Sequence, residues 1–251
     1  MHRFFQPACP PEASSLTLTG SEAHHALKVL RAKVGESVVV LDGQGHTFNC
    51  LIESIGPHSL GLKVTGRLFT QPPPCPITLW VAVPKAKGMD GIIQKSVELG
   101  VARVVPLLTQ RVVAQFNTEE ALQKREKWHQ VACEALKQCG GAWLPMIDAP
   151  TPIARILSQP LDAELSLVGA LTHPRFHPAE CFSAFKASHG RKPHGIGIWI
   201  GPEGDFTPDE LQAICQCGAK PITMGERVLR VETAVICGLS ILSHELSAPT
   251  W

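Results

Sequence analysis

The sequence contains no tyrosine, no long apolar run and little charge: Asp, Glu, Lys and Arg make up only 18% of its 251 residues. Each shortage excludes something. Low charge beside a 44% hydrophobic share is the opposite of an intrinsically disordered chain, which cannot bury enough apolar surface to offset its entropy. No window approaches the roughly 18 consecutive apolar residues of a membrane span. The opening MHRFFQPACPPEASS carries no apolar core of a signal peptide, so the expected location is cytoplasmic. Charge of either sign is also missing in excess: 23 Lys+Arg against 22 Asp+Glu leave a net +1, an average that offers no electrostatic sign of a nucleic-acid partner. Cysteines are present, nine of them, but without rhythm. Cys215 and Cys217 are two apart, and Cys133 and Cys139 lie near His129, yet no CxxC pairs with another CxxC or with an HxxxH. Neither a disulfide framework nor a metal site is expected.

What is present falls into two parts. Up to about residue 70 the chain reads as β-rich, with short β-branched runs at 37–42, 46–55 and 59–68 separated by Asp42-Gly43 and Gly56-Pro57 turns. One helix is predicted ahead of them, over LTGSEAHHALKVLRAK, opened by a capping box from Thr19 to Glu22. Ala23, Leu27 and Leu30 form its core stripe, and His24, Lys28 and Arg31 a cationic stripe beside it. QPPPCP at 71–76 can continue neither a helix nor a central strand and is the predicted domain boundary. Strands and helices then alternate. Strands are predicted at ITLWVAV, ARVVPLL, ELSLVGALT, GIGIWIG and AKPITMG, and helices over 88–99, 119–139, PAECFSAFKAS, from 207 onward and over 232–245. Such alternation predicts a mostly parallel sheet covered by helices.

Two stretches carry candidate chemistry. In IWIGPEGDFTPDE, residues 198–210, a buried strand runs into Gly201-Pro202-Glu203-Gly204 and a helix opens on the capping box of Thr207 and Glu210, with Pro208 at the first helical position. Glycines around a rigid proline let backbone approach a ligand at the carboxyl end of a strand, where α/β sheets bind ligands. A dinucleotide fingerprint is not expected, because Gly195, Gly197 and Gly201 are spaced GxGxxxG and the first two sit within a strand. In TMGERVLRVETA, residues 223–234, a second strand end leads through Arg227 and Arg230 into the last helix.

The ordered blocks RFF, HHALKVLRAKVGE, KGMDGIIQKSVELGVARVVPLLTQR, ACEALKQCG, IGPEGDFTPDE and MGERVLRVETA resemble the RsmE-type small-subunit ribosomal RNA methyltransferases of the SPOUT superfamily. The resemblance implies an α/β fold class in two domains. Residues 1–70 would form a PUA-like β-barrel that binds RNA, and 75–251 a SPOUT domain with a C-terminal trefoil knot, an exception to unknotted topology. It implies S-adenosylmethionine as cofactor, no metal, a homodimer with the site near the subunit interface, and methylation at N3 of a uridine in 16S ribosomal RNA of the small subunit. Three loops would build the cofactor pocket: Leu171, Thr172 and His173; Ile200, Gly201, Glu203 and Gly204; and Met224, Gly225, Val228, Leu229, Thr233 and Ala234. Because N3 of uracil carries a weakly acidic proton, Arg230 is expected to stabilise the developing negative charge, and Glu232, or else Glu203, to accept the proton.

RNA contacts are expected from Arg3, His24, Lys28 and Arg31 in the first domain and from Lys85, Lys87, Lys95, Arg103 and Arg111 in the second. With no tyrosine, stacking on an unpaired base would fall to Phe, Trp or His. Four positions depart from the family pattern. Gly141 and Trp143 replace basic residues, Asp205 stands where a second glycine is common, and Val231 replaces a threonine. These leave open another RNA substrate such as tRNA, or an RNA-binding module without catalysis. The average charge conceals a gradient: residues 1–70 carry +1, 71–160 carry +3 and 161–251 carry −3.

Overall fold

The computed structural model describes residues 1–85, 88–172 and 174–247. The chain forms two compact units, one of Met1–Pro72 with Cys133–Leu144, the other of Pro73–Ala132 with Pro145 onward. In the first unit, β1 (His2–Phe5), β2 (Ser15–Leu18), β3 (Ser37–Leu41), β4 (His46–Ile55) and β5 (Leu60–Phe69) pair in the order β1-β3-β4-β5-β2. The turn between β3 and β4 is held by Asp42, whose Oδ1 accepts from the amides of Gln44 (2.7 Å) and His46 (2.9 Å) while Gly43 and Gly45 take positive φ. Register shifts at Asn49/Cys50 and Ile52/Ser54 bend β4 against β5. Phe4, Leu18, Phe48, Ile52 and Leu60 fill the core.

The predicted first helix is corrected. Its first residue, Leu18, belongs to β2, and only α1 (Gly20–His24) and a π-helical continuation over His25–Val29 are helical, followed by Arg31 at φ +51°. Ala23 and Ala26 are buried, while Leu27 and Leu30 pack only partly against the core. The Thr19–Glu22 capping box does not form. Glu22 instead accepts from the Phe5 amide (3.0 Å) and pairs with Lys137 Nζ at 2.7 Å.

The proline-rich boundary is where the chain leaves the first unit, but the chain returns to it at Cys133–Leu144, which no composition change announces. Long-range polar contacts draw it there. Arg3 donates to the carbonyls of Lys137 (3.2 Å) and Gln138 (3.0 Å), capping a helix C-terminus, and Trp143 Nε1 donates to the Thr70 carbonyl at 2.9 Å.

In the second unit, β6 (Ile77–Ala82), β7 (Arg103–Leu108), β8 (Met146–Ile147), β10 (Leu165–Gly169), β11 (Ile196–Ile200) and β12 (Lys220–Ile222) form a sheet of order β12-β10-β11-β6-β7-β8, with β9 (Thr151–Pro152) also on β7. Every pairing is parallel. The helices are α2 (Gly88–Glu98), α3 (Thr118–Cys139), α4 (Ile153–Leu157), α5 (Pro178–His189), α6 (Pro208–Gln216) and α7 (Val231–Ser247). Burial on both faces explains the apolar runs: β6, β10 and β11 are buried throughout. Trp80 and Trp199 stack on adjacent strands at 4.5 Å between centroids, and the Trp80 ring fills the space a Cβ at Gly197 would need. Gly197 is thus a packing glycine. The short β8, β9 and α4 were not foreseen, being too brief to show a period.

Candidate functional site

Because these strands are parallel, their carboxyl ends lie on one rim of the sheet. There the turns after β10, β11 and β12 enclose an open cleft with about 560 Å³ of empty space. It brings together nine of the thirteen expected pocket residues: Leu171 from the first turn, Ile200, Gly201 and Glu203 from the second, and Met224, Gly225, Val228, Leu229 and Ala234 from the third. Thr172, Gly204 and Thr233 are not in its lining, and His173 lies outside the described residues. Arg227 and Val231, within the third loop, line it as well, and so do Arg175 and Asp205, which lie outside the expected loops.

The second turn is held from several sides. The Thr207 hydroxyl accepts from the Glu210 amide (3.3 Å) and the Glu210 carboxylate from the Thr207 amide (2.9 Å), which is the predicted capping box. The other Glu210 oxygen accepts from the Gln110 amide at 2.8 Å. Arg111 donates to the carbonyls of Gly204, Asp205 (3.5 Å) and Phe206 (3.4 Å). Asp205 sits at φ +62°, the left-handed region that favours glycine, which explains why a glycine would suit the position. Its carboxylate offsets the strain: Oδ1 accepts from the Phe206 amide at 2.8 Å, and Oδ2 from the Leu171 amide at 3.3 Å. Asp205 therefore ties the turn after β11 to the turn after β10. A Cβ at Gly201 would come within 3.0 Å of Asp205 Oδ1 and the Phe206 amide, so this glycine serves the fold of its own loop.

The expected catalytic residues separate. Neither Arg230 nor Glu232 is in the cleft lining. Arg230 is exposed beside the lining residue Leu229, and its carbonyl accepts from the Ala234 amide (2.8 Å), starting α7. The Glu232 carboxylate occupies the place of a Cβ at Gly88, the first residue of α2, where a negative charge suits the helix dipole. Glu203 does line the cleft; its Oε1 accepts from the Lys85 amide at 2.8 Å, and its other oxygen has no protein donor among the described residues.

Of the expected RNA contacts, several are engaged internally. Arg3 caps a helix, Lys95 pairs with Glu98 (2.9 Å), Arg103 with Asp148 (2.7 Å), and Arg111 clamps the cleft turn. His24, Lys28, Arg31 and Lys85 are exposed, and Lys87 lies outside the described residues. Trp143 packs edge-to-face on Phe69 at 6.3 Å, so its ring belongs to the first unit's own packing. Among the described residues no three His, Cys, Asp or Glu gather as metal ligands, and no helix is long and apolar enough to cross a membrane.

Comparison with known proteins bears on this geometry. A family model described as the RNA methyltransferase domain matches residues 71–243, and one described as the RNA methyltransferase PUA domain matches residues 18–65. The ribosomal RNA small subunit methyltransferase E of Bacillus subtilis is 27% identical over 238 residues, spanning 93% of this chain and 91% of its own. Its counterpart in Aquifex aeolicus is 29% identical over 247 residues, spanning 97% and 100%. A methyltransferase structure from Legionella pneumophila, solved with bound SAM, matches with a TM-score of 0.85 at 28% identity over 96% of both chains. The Neisseria gonorrhoeae small subunit methyltransferase E, bound to S-adenosyl methionine, matches equally well in fold, with a TM-score of 0.85 at 24% identity over 97% of both chains. With both domain models matching in order along most of its length, the chain belongs to the RNA methyltransferase family, with a PUA-like N-terminal domain and an α/β methyltransferase domain.

Proposed function

We propose that the protein transfers a methyl group from S-adenosylmethionine to N3 of a uridine in 16S ribosomal RNA, in the cytoplasm. The cleft on the shared rim of β10, β11 and β12 carries this reading. Ile200, Leu229, Val231 and Ala234 offer apolar surface for an adenine, and Glu203 and Asp205 offer carboxylates to a cationic ligand, so the residues present fit the cofactor. When bound, S-adenosylmethionine supplies an electrophilic methyl on a sulfonium.

The chain's own residues have the remaining tasks. Backbone groups of Gly201, Met224 and Leu229 hold the adenosyl portion. Arg230, whose backbone is anchored by the first turn of α7, stabilises negative charge developing on the uracil oxygens. Glu203 takes the N3 proton in preference to Glu232, because it lines the cleft and keeps one oxygen without a protein donor among the described residues, whereas Glu232 lies against α2. His24, Lys28 and Arg31 contact phosphates.

The trefoil knot belongs to the same proposal. It is supported by the edge position of β12 and by α7, which follows directly yet packs on β11 and α2 nearer the middle of the sheet. So does the homodimer: α7 leaves Ile236 40% exposed, and Val228 in the preceding turn is 73% exposed, apolar area that a second copy would cover.

Calorimetry with S-adenosylmethionine and mass spectrometry of ribosomal RNA from a deletion strain test the reading. Donor binding and one missing methyluridine in 16S RNA are expected. Unchanged 16S RNA would overturn the substrate, and absent donor binding the enzyme.

A further inference from the structure

The rim that holds the cleft continues past it. β11 and β6 are hydrogen-bonded neighbours, and β7 follows β6, so the carboxyl ends of β6 and β7 lie next in line, one strand spacing of about 4.8 Å at a time. There a second groove, with about 1,010 Å³ of empty space, is bounded by the turn after β6, the loop after β7 and the first half of α3. Lys85 joins the two: it lines the second groove, and its amide donates to Glu203 in the wall of the first.

Two kinds of surface meet in this groove. Val113, 71% exposed, and the half-buried ring of Phe116 provide apolar area. Lys85, Lys124 and Lys127 provide positive charge against the single carboxylate of Asp90, which pairs with Lys127. Lys85 and Lys124 form no ion pair among the described residues, and Lys124 Nζ stands 5.9 Å from the Phe116 ring centroid. An aromatic face beside unpaired ammonium groups matches a ligand that is flat and apolar on one part and anionic on another. An unpaired nucleotide has that shape, with a base to stack and a phosphate to neutralise.

We propose that this groove is a second nucleotide subsite, in which Phe116 stacks an unpaired base of the substrate RNA close in sequence to the modified uridine, and Lys124 and Lys85 contact its phosphate. The proposal rests on the RNA methyltransferase reading and deepens it: specificity for the target would come in part from a neighbouring base held on the same rim. Absence of tyrosine from the chain leaves phenylalanine as a natural stacking platform here.

Equilibrium binding of small-subunit ribosomal RNA across a salt series, measured on the full-length protein, tests this, with S-adenosylmethionine affinity by calorimetry in parallel. Phe116→Ala should weaken RNA binding by roughly five- to 150-fold, the range for losing one stacked base. Phe116→Trp should restore it. Lys124→Ala should lower the slope of log affinity against log salt by about one. Neither change should alter donor affinity or melting temperature. Parental RNA affinity and salt slope in both variants would overturn the subsite and leave the methyltransferase reading standing. An unmutated protein that binds neither donor nor RNA would overturn both.

Discussion

Replacing Asp205 by glycine separates two roles that one residue combines. At φ +62° a non-glycine residue carries strain of about 1 kcal/mol, with aspartate at the tolerant end of that range. Glycine removes the strain but adds freedom to the unfolded chain, worth roughly 0.5–1 kcal/mol in the opposite direction. The lost carboxylate also gives up two acceptors, to Phe206 at 2.8 Å and Leu171 at 3.3 Å. The first bond is to the adjacent residue, in a turn that Arg111 and Glu210 still hold, and the second is exposed; together they are worth about 1–2 kcal/mol. Folding stability should therefore change little, by about 1 kcal/mol, in a thermal melt. Cofactor binding should change more. The Leu171 contact is the tie between two of the three turns that enclose the cleft, and an untethered turn must be ordered when the ligand arrives. A loss of about 1 kcal/mol there is roughly a fivefold rise in Kd for S-adenosylmethionine, measured by calorimetry. Asp205→Asn, which keeps one acceptor and tolerates the left-handed backbone, should fall between. A glycine variant that melts higher and binds the cofactor as tightly as the parent would refute the tie.

Three further outcomes are expected. Lys137, with 9% of its side chain exposed, has burial working against its charge, yet the hydrogen bonds it donates to Glu134 and Glu22 raise its pKa; Lys137→Ala strands Glu22 and should cost about 3 kcal/mol in urea unfolding, while a change under 0.5 kcal/mol would contradict the pairing. Burial pushes the thiols of Cys9, Cys50 and Cys75 up to about 11, so at pH 8 an alkylating reagent should label the exposed Cys139 and Cys217 first and those three only in denaturant. Glu164 is held down to about 2 by hydrogen bonds from Arg191 and from the His194 amide. A depressed carboxylate contributes stability that is present above its ordinary value near 4.5 and lost as pH falls toward 2, so Glu164→Gln should flatten the acid limb of a melting curve between those values.

The parts of the fold that were legible in the sequence are those with a strong local cause. Uninterrupted apolar strands gave away a sheet buried on both faces, and Thr207, Pro208 and Glu210 marked a helix start that the structure reproduces. The same cap chemistry failed at Thr19, because Glu22 found better partners in Phe5 and Lys137, the latter 115 residues away. No local pattern registers a competitor at that separation. The return of Cys133–Leu144 to the first unit was invisible for the same reason: Arg3 and Thr70 select it through contacts that sequence spacing does not encode. In the cleft, glycine and proline located the turns, but Asp205 read only as a departure from a glycine. Only its backbone angle and its two acceptor bonds reveal a side chain working in place of a glycine.

Charge follows the same logic. The −3 of residues 161–251 falls on the segment that carries all three cleft turns, but four of its ten carboxylates are engaged elsewhere. Glu164 holds Arg191, Glu180 caps α5, Glu210 caps α6, and Glu232 sits against α2. Only Glu203 and Asp205 line the cleft, where Arg175 and Arg227 balance them. In the +3 segment, Lys95, Arg103, Lys127 and Lys137 are paired and Arg111 is bound to carbonyls, whereas Lys85, Lys124 and Arg125 form no ion pair among the described residues. Net charge per segment is therefore a poor guide to what a surface offers a ligand, since a paired ion contributes to the sum and little to the field beyond its partner. The charges available to RNA are the few left without partners, and those on the α/β unit include the two lysines of the groove beside the cleft, where the chain also places Phe116.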